Sequence, residues 1–153
     1  MIMSSRADRV DFGVLLNLAF GALKERLHDH MRAAGFDDLG PSFGYVFRLL
    51  DRDSPSLAEL AAKLGMTPQG ALKIVSDMTA KGYVDRADDA SDARVRRLVL
   101  TARGKRALAE ARKFHSTFER DLGKQLGERR VASARAVLEA MAAEGKEKEA
   151  RPF

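Results

Sequence analysis

Apolar residues recur along the first part of the chain at helical spacing. Leu15, Leu18, Ala22, Leu27 and Met31, with Val14 beside the first, predict one amphipathic helix from about residue 8 to residue 34. Gly35 stops it, and residues 36–40 form a loop. Pro41 suits the first turn of a second helix, whose buried face is Phe43, Val46, Phe47 and Leu50. Ser54-Pro55 breaks that helix. Ser56, with Glu59 three residues on, starts a third helix as a capping box: the Ser oxygen accepts an amide hydrogen bond and the Glu reaches back. Leu57, Leu60, Ala61 and Leu64 face its core side, and Gly65 ends it. Thr67 reads as the next N-cap and Pro68 as the first helical residue. Ala71, Ile74, Val75 and Met78 give the buried stripe, and Gly82 closes the helix. The period then changes to two. Residues 83–87 and 95–100 read as strands around a polar, acidic tip at 88–93, with Leu98 and Leu100 on one face and Arg97 and Val99 on the other. Thr101 caps a long helix to about residue 126. Gly127 interrupts, and a last helix runs to about residue 143 before a charged tail.

Composition narrows the classes. The 153 residues fit one compact domain, or a small one with long helical extensions. A hydrophobic content of 45% supports a core. With 27 Lys+Arg against 22 Asp+Glu, the net charge of +5 allows a nucleic-acid partner without establishing one. No cysteine is present, which removes disulfides, thiolate nucleophiles, Cys-ligated zinc and thiol redox sensing. The three histidines lack ligand spacing, so no metal and no cofactor is expected. No Gly-rich phosphate loop and no nucleophile with an adjacent base point to an enzyme. No run reaches the ~18 apolar residues of a spanning helix. Residues 1–6 lack a signal peptide's apolar region, and the expected location is the cytoplasm, with no membrane partner.

Residues 56–81 are two short helices joined by the tight turn Gly65-Met66, a helix-turn-helix, and a hairpin follows directly. The second helix of such a pair lies in a major groove through a polar outer face. Here that face carries Thr67, Gln69, Gly70, Lys73 and Ser76, with Leu72 at its edge. Gln69 can pair with adenine in bidentate fashion, Lys73 can reach guanine or phosphate, and Leu72 can touch a thymine methyl group. Gly70 lets the backbone approach closely. The hairpin concentrates Arg86, Arg94, Arg96 and Arg97, with Arg103, Lys105 and Arg106 soon after. Asp85, Asp88, Asp89 and Asp92 offset part of that charge, which a purely electrostatic patch would not do. Asp92, two residues before Arg94 at the tip, is read as orienting an arginine; a narrow minor groove accepts such an inserted side chain.

The run Asp88-Asp89-Ala90-Ser91-Asp92-Ala93-Arg94, followed by Leu98-Val99-Leu100-Thr101-Ala102-Arg103-Gly104, resembles the wing signature of the MarR family of bacterial regulators. Ser56-Leu57-Ala58-Glu59-Leu60-Ala61, Thr67-Pro68 and Lys81-Gly82-Tyr83-Val84 resemble the same family's helix-turn-helix. The resemblance is close over residues 41–106 and looser over the flanking helices. It implies that Arg94 is the minor-groove arginine and Asp92 its positioner, and that a homodimer binds a near-palindromic operator on double-stranded DNA. Residues Asp88 and Asp89 are ordinary for such a wing. Gly70 and Leu72 depart from the hydroxyl or basic residues often found there.

The expected fold is therefore mainly α (α+β), a winged helix-turn-helix with long N- and C-terminal helices as a dimerisation platform. Residues 8–40 form the first dimerisation helix and loop, 41–100 the DNA-binding region, 101–143 the C-terminal dimerisation helices and 144–153 the charged tail. Leu108, Ala111, His115, Phe118 and Leu122, and then Val131, Ala134, Leu138 and Met141, alternate spacings of three and four as packing seams do. His115 reads first as a core or interface histidine, and His28 and His30 as surface residues. Phe12, Phe20, Phe43, Phe47 and Phe114 read as core. Phe12, Phe47, Arg86 and His115 are also candidates to line a pocket for a small aromatic ligand, because the family often binds phenolic compounds. Arg86 is equally a structural ion-pair partner, and residues 103–106 either a solvated face or a phosphate contact. The expected function is a transcriptional regulator, a repressor released by such a ligand. The alternative is a winged-helix protein-protein module without DNA binding.

Overall fold

The computed structural model describes residues 9–149. Its elements are helices α1 (Phe12–Ala33), α2 (Phe43–Arg52), α3 (Leu57–Leu64) and α4 (Pro68–Ala80), strands β1 (Val84–Asp88) and β2 (Arg96–Leu100), and helices α5 (Ala102–Leu126) and α6 (Glu128–Glu149). These are the expected elements in the expected order, a mainly helical fold with one small antiparallel sheet. Two compact units part between Leu39 and Gly40. The first holds α1. The second holds everything from α2 onward.

Three boundaries differ from the sequence reading. Pro41 lies in a turn before α2, closed by Phe43 N–H donating to Gly40 O at 3.2 Å, and the helix starts at Phe43. The first helix starts at Phe12 behind Asp11, whose side chain makes no cap. The last helix continues to Glu149, six residues past the expected stop. Glu and Lys are good helix formers, and the lone Gly145 costs only about 1 kcal/mol. Residues 1–8, including Asp8, and residues 150–153 of the expected tail lie outside the described residues.

Local chemistry explains the short helices. Ser56 and Glu59 form the capping box: Glu59 N donates to Ser56 Oγ at 3.3 Å, and Ser56 N to Glu59 Oε2 at 3.1 Å. At the other end of α3, Met66 N reaches Ala61 O at 3.1 Å and Gly65 N reaches Ala62 O at 3.2 Å. This Schellman closure needs a left-handed residue, and Gly65 supplies φ +64°. Thr67 then caps α4 by accepting from Gly70 N at 3.1 Å, and Pro68 sits in the first turn. Thr101 caps α5 through Gly104 N at 3.0 Å while its hydroxyl donates to Gly82 O at 2.6 Å.

The core of the second unit is one contiguous set. Phe43, Val46, Phe47 and Leu50 of α2, Leu60 and Ala61 of α3, and Ala71, Val75 and Met78 of α4 are buried. So are Tyr83, Val84, Leu98 and Leu100 of the hairpin and Ala107 and Leu108 of α5. Ile74, expected in the stripe, is only half-buried. Phe43, Phe47 and Tyr83 form an edge-to-face trio with ring centroids 5.5–6.3 Å apart. Arg103 closes it from outside, its guanidinium 4.6 Å from the Tyr83 ring. It also donates to Tyr83 Oη at 3.0 Å and to Lys81 O at 3.2 Å. Arg103 thus has a structural role through Nε and Nη2. Gly104 is needed where α5 crosses the chain, because a Cβ there would stand 2.2 Å from Tyr83 O.

Helix α5 packs against α2, β2 and α6, so residue 101 is not a break in packing. Arg112 pairs with Asp51 at 2.8 Å, tying α5 to α2, and Arg135 pairs with Glu119, tying α6 to α5. Phe12 and Phe20, read as core, are corrected by the structure: each is 59% exposed. They belong to an exposed row on α1 with Val14, Leu15 and Leu18. On α6, Val137, Leu138 and Met141 are likewise exposed.

Candidate nucleic-acid interface

Helix α4 divides into two faces. Ala71, Val75 and Met78 point into the core and fix its rotation. That rotation leaves Thr67, Gln69, Lys73 and Ser76 exposed, with Leu72 41% exposed beside them and Gly70 half-buried in the first turn. The residues chosen from sequence for groove contact therefore share one outward surface. Its leading end is a helix N-terminus, where unpaired amides and the helix dipole favour anionic groups. The backbone at Gly70 is ordinary, and a Cβ there would meet Thr67 Oγ1 at 3.4 Å and Met66 Sδ at 3.7 Å, which is van der Waals contact. The free protein gives no packing reason for glycine at this position.

The hairpin follows from α4 through Gly82, at φ +80°, and Tyr83. Strands β1 and β2 pair Val84 with Leu100, Arg86 with Leu98 and Asp88 with Arg96. Leu98 and Leu100 face the core as their alternation predicts. Leu98 N also donates to Pro55 O at 2.9 Å, which stitches β2 to the chain just before α3.

Beyond the strands, the wing turn is organised by two aspartates. Asp92 Oδ1 accepts from Arg94 N at 3.0 Å and lies 3.5 Å from Arg94 Nε. Arg94 itself is 93% exposed. Its backbone is held while its guanidinium stands in solvent at the tip. Arg96 is exposed on β2, with Nε 3.6 Å from Asp88. Asp89 accepts from Ser91 N at 2.8 Å and Ser91 Oγ at 2.7 Å through one oxygen, and from Arg97 Nε at 2.7 Å through the other. These hydrogen bonds, those from Ser91 foremost, hold its carboxyl far below the usual carboxylate range.

Arg97 has a second partner. Its Nη1 donates to Glu59 Oε2 at 2.9 Å, across 38 residues of sequence. Glu59 therefore serves the capping box and the wing together, and both contacts lower its pKa, the Ser56 amide more than Arg97. Sequence reasoning counted Arg97 among the wing's basic residues and treated Asp89 as ordinary. The only available signal was the surplus of aspartates over what a cationic patch needs.

The four pocket candidates are scattered among different environments. Phe47 is 3% exposed and taken up by the aromatic trio. Arg86 is exposed on β1. His115 is half-buried beside Phe114, at 5.4 Å between ring centroids, and burial followed by the charge of Arg48 lowers its pKa. Phe12 is exposed on α1, in the other compact unit. Among the described residues, no group of three or more His, Cys, Asp or Glu could hold a metal ion, and no helix is long and apolar enough to cross a membrane.

Known proteins place this geometry. Residues 39–95 match the model of the MarR family. No curated protein matches the sequence. The chain is similar to solved structures along most of its length. One is the Staphylococcus aureus MepR–DNA complex (TM-score 0.67, 19% identity, covering 87% of this chain and 98% of that one). Another is Streptococcus pneumoniae FabT in complex with DNA (TM-score 0.70, 16% identity, 90% and 99%). A third is the YusO protein from Bacillus subtilis (TM-score 0.66, 19% identity, 92% and 98%). At these identities the structural likeness establishes the fold, the winged helix already described. Over residues 39–95 this chain is similar to the MarR family, and its described elements carry the winged-helix fold.

Proposed function

We propose that the protein is a sequence-specific, DNA-binding transcriptional regulator that acts as a homodimer. One observation carries the reading: a capped helix with a polar outer face lies next in the chain to a hairpin whose tip holds Arg94 by its backbone and leaves its side chain 93% exposed. Two proteins of similar fold were solved with DNA bound, which supports the same partner here. In this reading Thr67, Gln69, Gly70, Leu72, Lys73 and Ser76 meet the major groove. Arg94, positioned by Asp92, enters the adjoining minor groove, and Arg96 contacts phosphate. The exposed apolar rows on α1 and α6 support dimerisation, since contiguous patches of that kind mark interfaces. A dimer sets two recognition helices about 34 Å apart, one DNA turn, on a near-palindromic operator.

The finer part of the proposal is repression relieved by a small aromatic acid. With no cysteine in the chain, thiol oxidation cannot be the switch. A ligand acts only if it binds the DNA-competent and released forms with different affinity. Of the pocket candidates, Arg86, exposed on β1, carries the charge that would pair with the ligand's carboxylate.

The test begins by selecting bound sequences from a random DNA pool. A gel-shift titration on the selected duplex should then show Arg94→Ala weakening binding by about 1–3 kcal/mol, the scale of a good base contact. Asp92→Ala should weaken it too, although that change removes a negative charge. Unchanged affinity for Arg94→Ala refutes the assignment. Binding to no duplex at low salt favours a protein-protein role for the winged helix.

A further inference from the structure

A two-stranded ribbon is marginal by itself and does not hold a fixed direction without packing. In this wing, Leu98 and Leu100 anchor the base in the core, and Leu98 N–H adds a bond to Pro55 O. No fully buried apolar side chain continues toward the tip. From Asp88 to Arg94 the chain is exposed or half-buried. What crosses from the tip back to the helices is a single polar chain. Glu59, in the first turn of α3, accepts from Arg97 Nη1 at 2.9 Å, and Arg97 Nε and Nη2 both reach Asp89 Oδ2 at 2.7 Å. Asp89 then holds Ser91 by two bonds, and its own N–H donates to Val95 O at 3.1 Å across the turn.

The Arg97–Asp89 pair differs from surface ion pairs of small effect, whereas the Glu59 end of the bridge is 54% exposed. The Arg97 and Asp89 side chains are only 30% and 11% exposed, and the guanidinium uses its planar fork on two carboxylates at once. Arg97 is therefore spent inside the protein and is not offered to a ligand.

We propose that Arg97 is a positioning residue for the DNA contact: by bridging Glu59 on α3 to Asp89 at the entrance to the wing turn, it fixes where Arg94 stands relative to the recognition helix. The inference rests on the DNA-binding reading above and adds a residue that acts through Arg94. Without the bridge the tip pivots about its anchored base, and Arg94 meets the groove in only a fraction of the conformers. Affinity then drops by that fraction.

A double-mutant cycle on the selected duplex tests this, with each variant first shown to be folded by circular dichroism. In the native background Arg94→Ala should weaken binding by on the order of tenfold or more. In an Arg97→Met background, which keeps the aliphatic stem, the same change should cost less, with a coupling of at least about threefold, beyond the scatter of independent sites. Glu59→Gln gives an independent sign test and serves in the same cycle if Arg97→Met does not fold. Glutamine at this position preserves the capping box, and the change removes a negative charge, which by itself favours DNA. Positioning predicts weaker binding for Glu59→Gln; an Arg97 that touched phosphate directly would bind as well or better. Equal effects of Arg94→Ala in both backgrounds overturn the positioning role while leaving the DNA-binding reading intact. No effect of Arg94→Ala in the native background overturns both.

Discussion

Gly70→Ala should move stability and DNA affinity in opposite directions. Gly70 occupies the third helical position of α4, with an ordinary helical backbone and its N–H capped by Thr67. Glycine inside a helix costs about 0.5–1 kcal/mol relative to alanine, mostly through the entropy of the unfolded chain. The new methyl group meets Thr67 Oγ1 at 3.4 Å and Met66 Sδ at 3.7 Å, so nothing must move to admit it. The free protein should gain about 0.5 kcal/mol, the lower end of that range because the site lies in the first turn. For a chain of this length that raises Tm by about 1–2 °C. Bound to DNA, the same methyl group would stand between the helix N-terminus and the groove. If the backbone seats there, the helix is pushed outward and Gln69 and Lys73 lose their contacts. A loss on the order of 1–2 kcal/mol in affinity follows, the scale of forcing a methyl into a packed contact. Thermal melting of the free protein and gel-shift titration of the same preparation measure both signs. Higher Tm with unchanged or improved affinity would refute the close approach at Gly70, and with it this reading of how the helix lies in the groove.

Further outcomes follow from the packing. Gly104→Ala drives a Cβ to 2.2 Å from Tyr83 O and should cost about 3 kcal/mol, the upper end of overpacking, whereas Gly44→Ala in α2, with open space at its Cβ, should be neutral or stabilising; paired thermal melts decide. Leu138→Glu, placed on the exposed row of α6, should convert the proposed dimer to monomer in analytical ultracentrifugation, and an unchanged sedimentation coefficient would remove α6 from the interface. His115 has its pKa lowered below the ordinary 6.5, by burial first and then by Arg48, so the folded state favours the neutral ring. Its contribution is complete above the unfolded pKa and is lost as pH falls through 6.5 toward the folded value. Part of the Tm drop between about pH 7.5 and pH 5.5 should therefore vanish in His115→Gln, and an identical drop in both proteins would show that burial of this ring is not felt.

Much of this molecule is written in short stretches of chain. The Ser56–Glu59 box, the Thr67–Pro68 start, the Gly65 and Gly82 stops and the Leu98/Leu100 alternation each depend on partners within a few residues, so helix-turn-helix and wing were legible without coordinates. Asp92 and Arg94 belong to the same group, since their bond spans two residues. Other features had no local signal. Arg97 and Arg103 read alike in sequence, as basic residues in or just after the wing, yet one bridges Glu59 to Asp89 and the other lies on Tyr83. Phe47 and Phe12 are both aromatic residues on helical faces, yet one is 3% and the other 59% exposed. A side chain's type sets what it can bond to, and local spacing sets which way it leaves its helix or strand. Which distant group it then meets is decided only when the core closes, bringing the wing to α3 and the start of α5 to Tyr83.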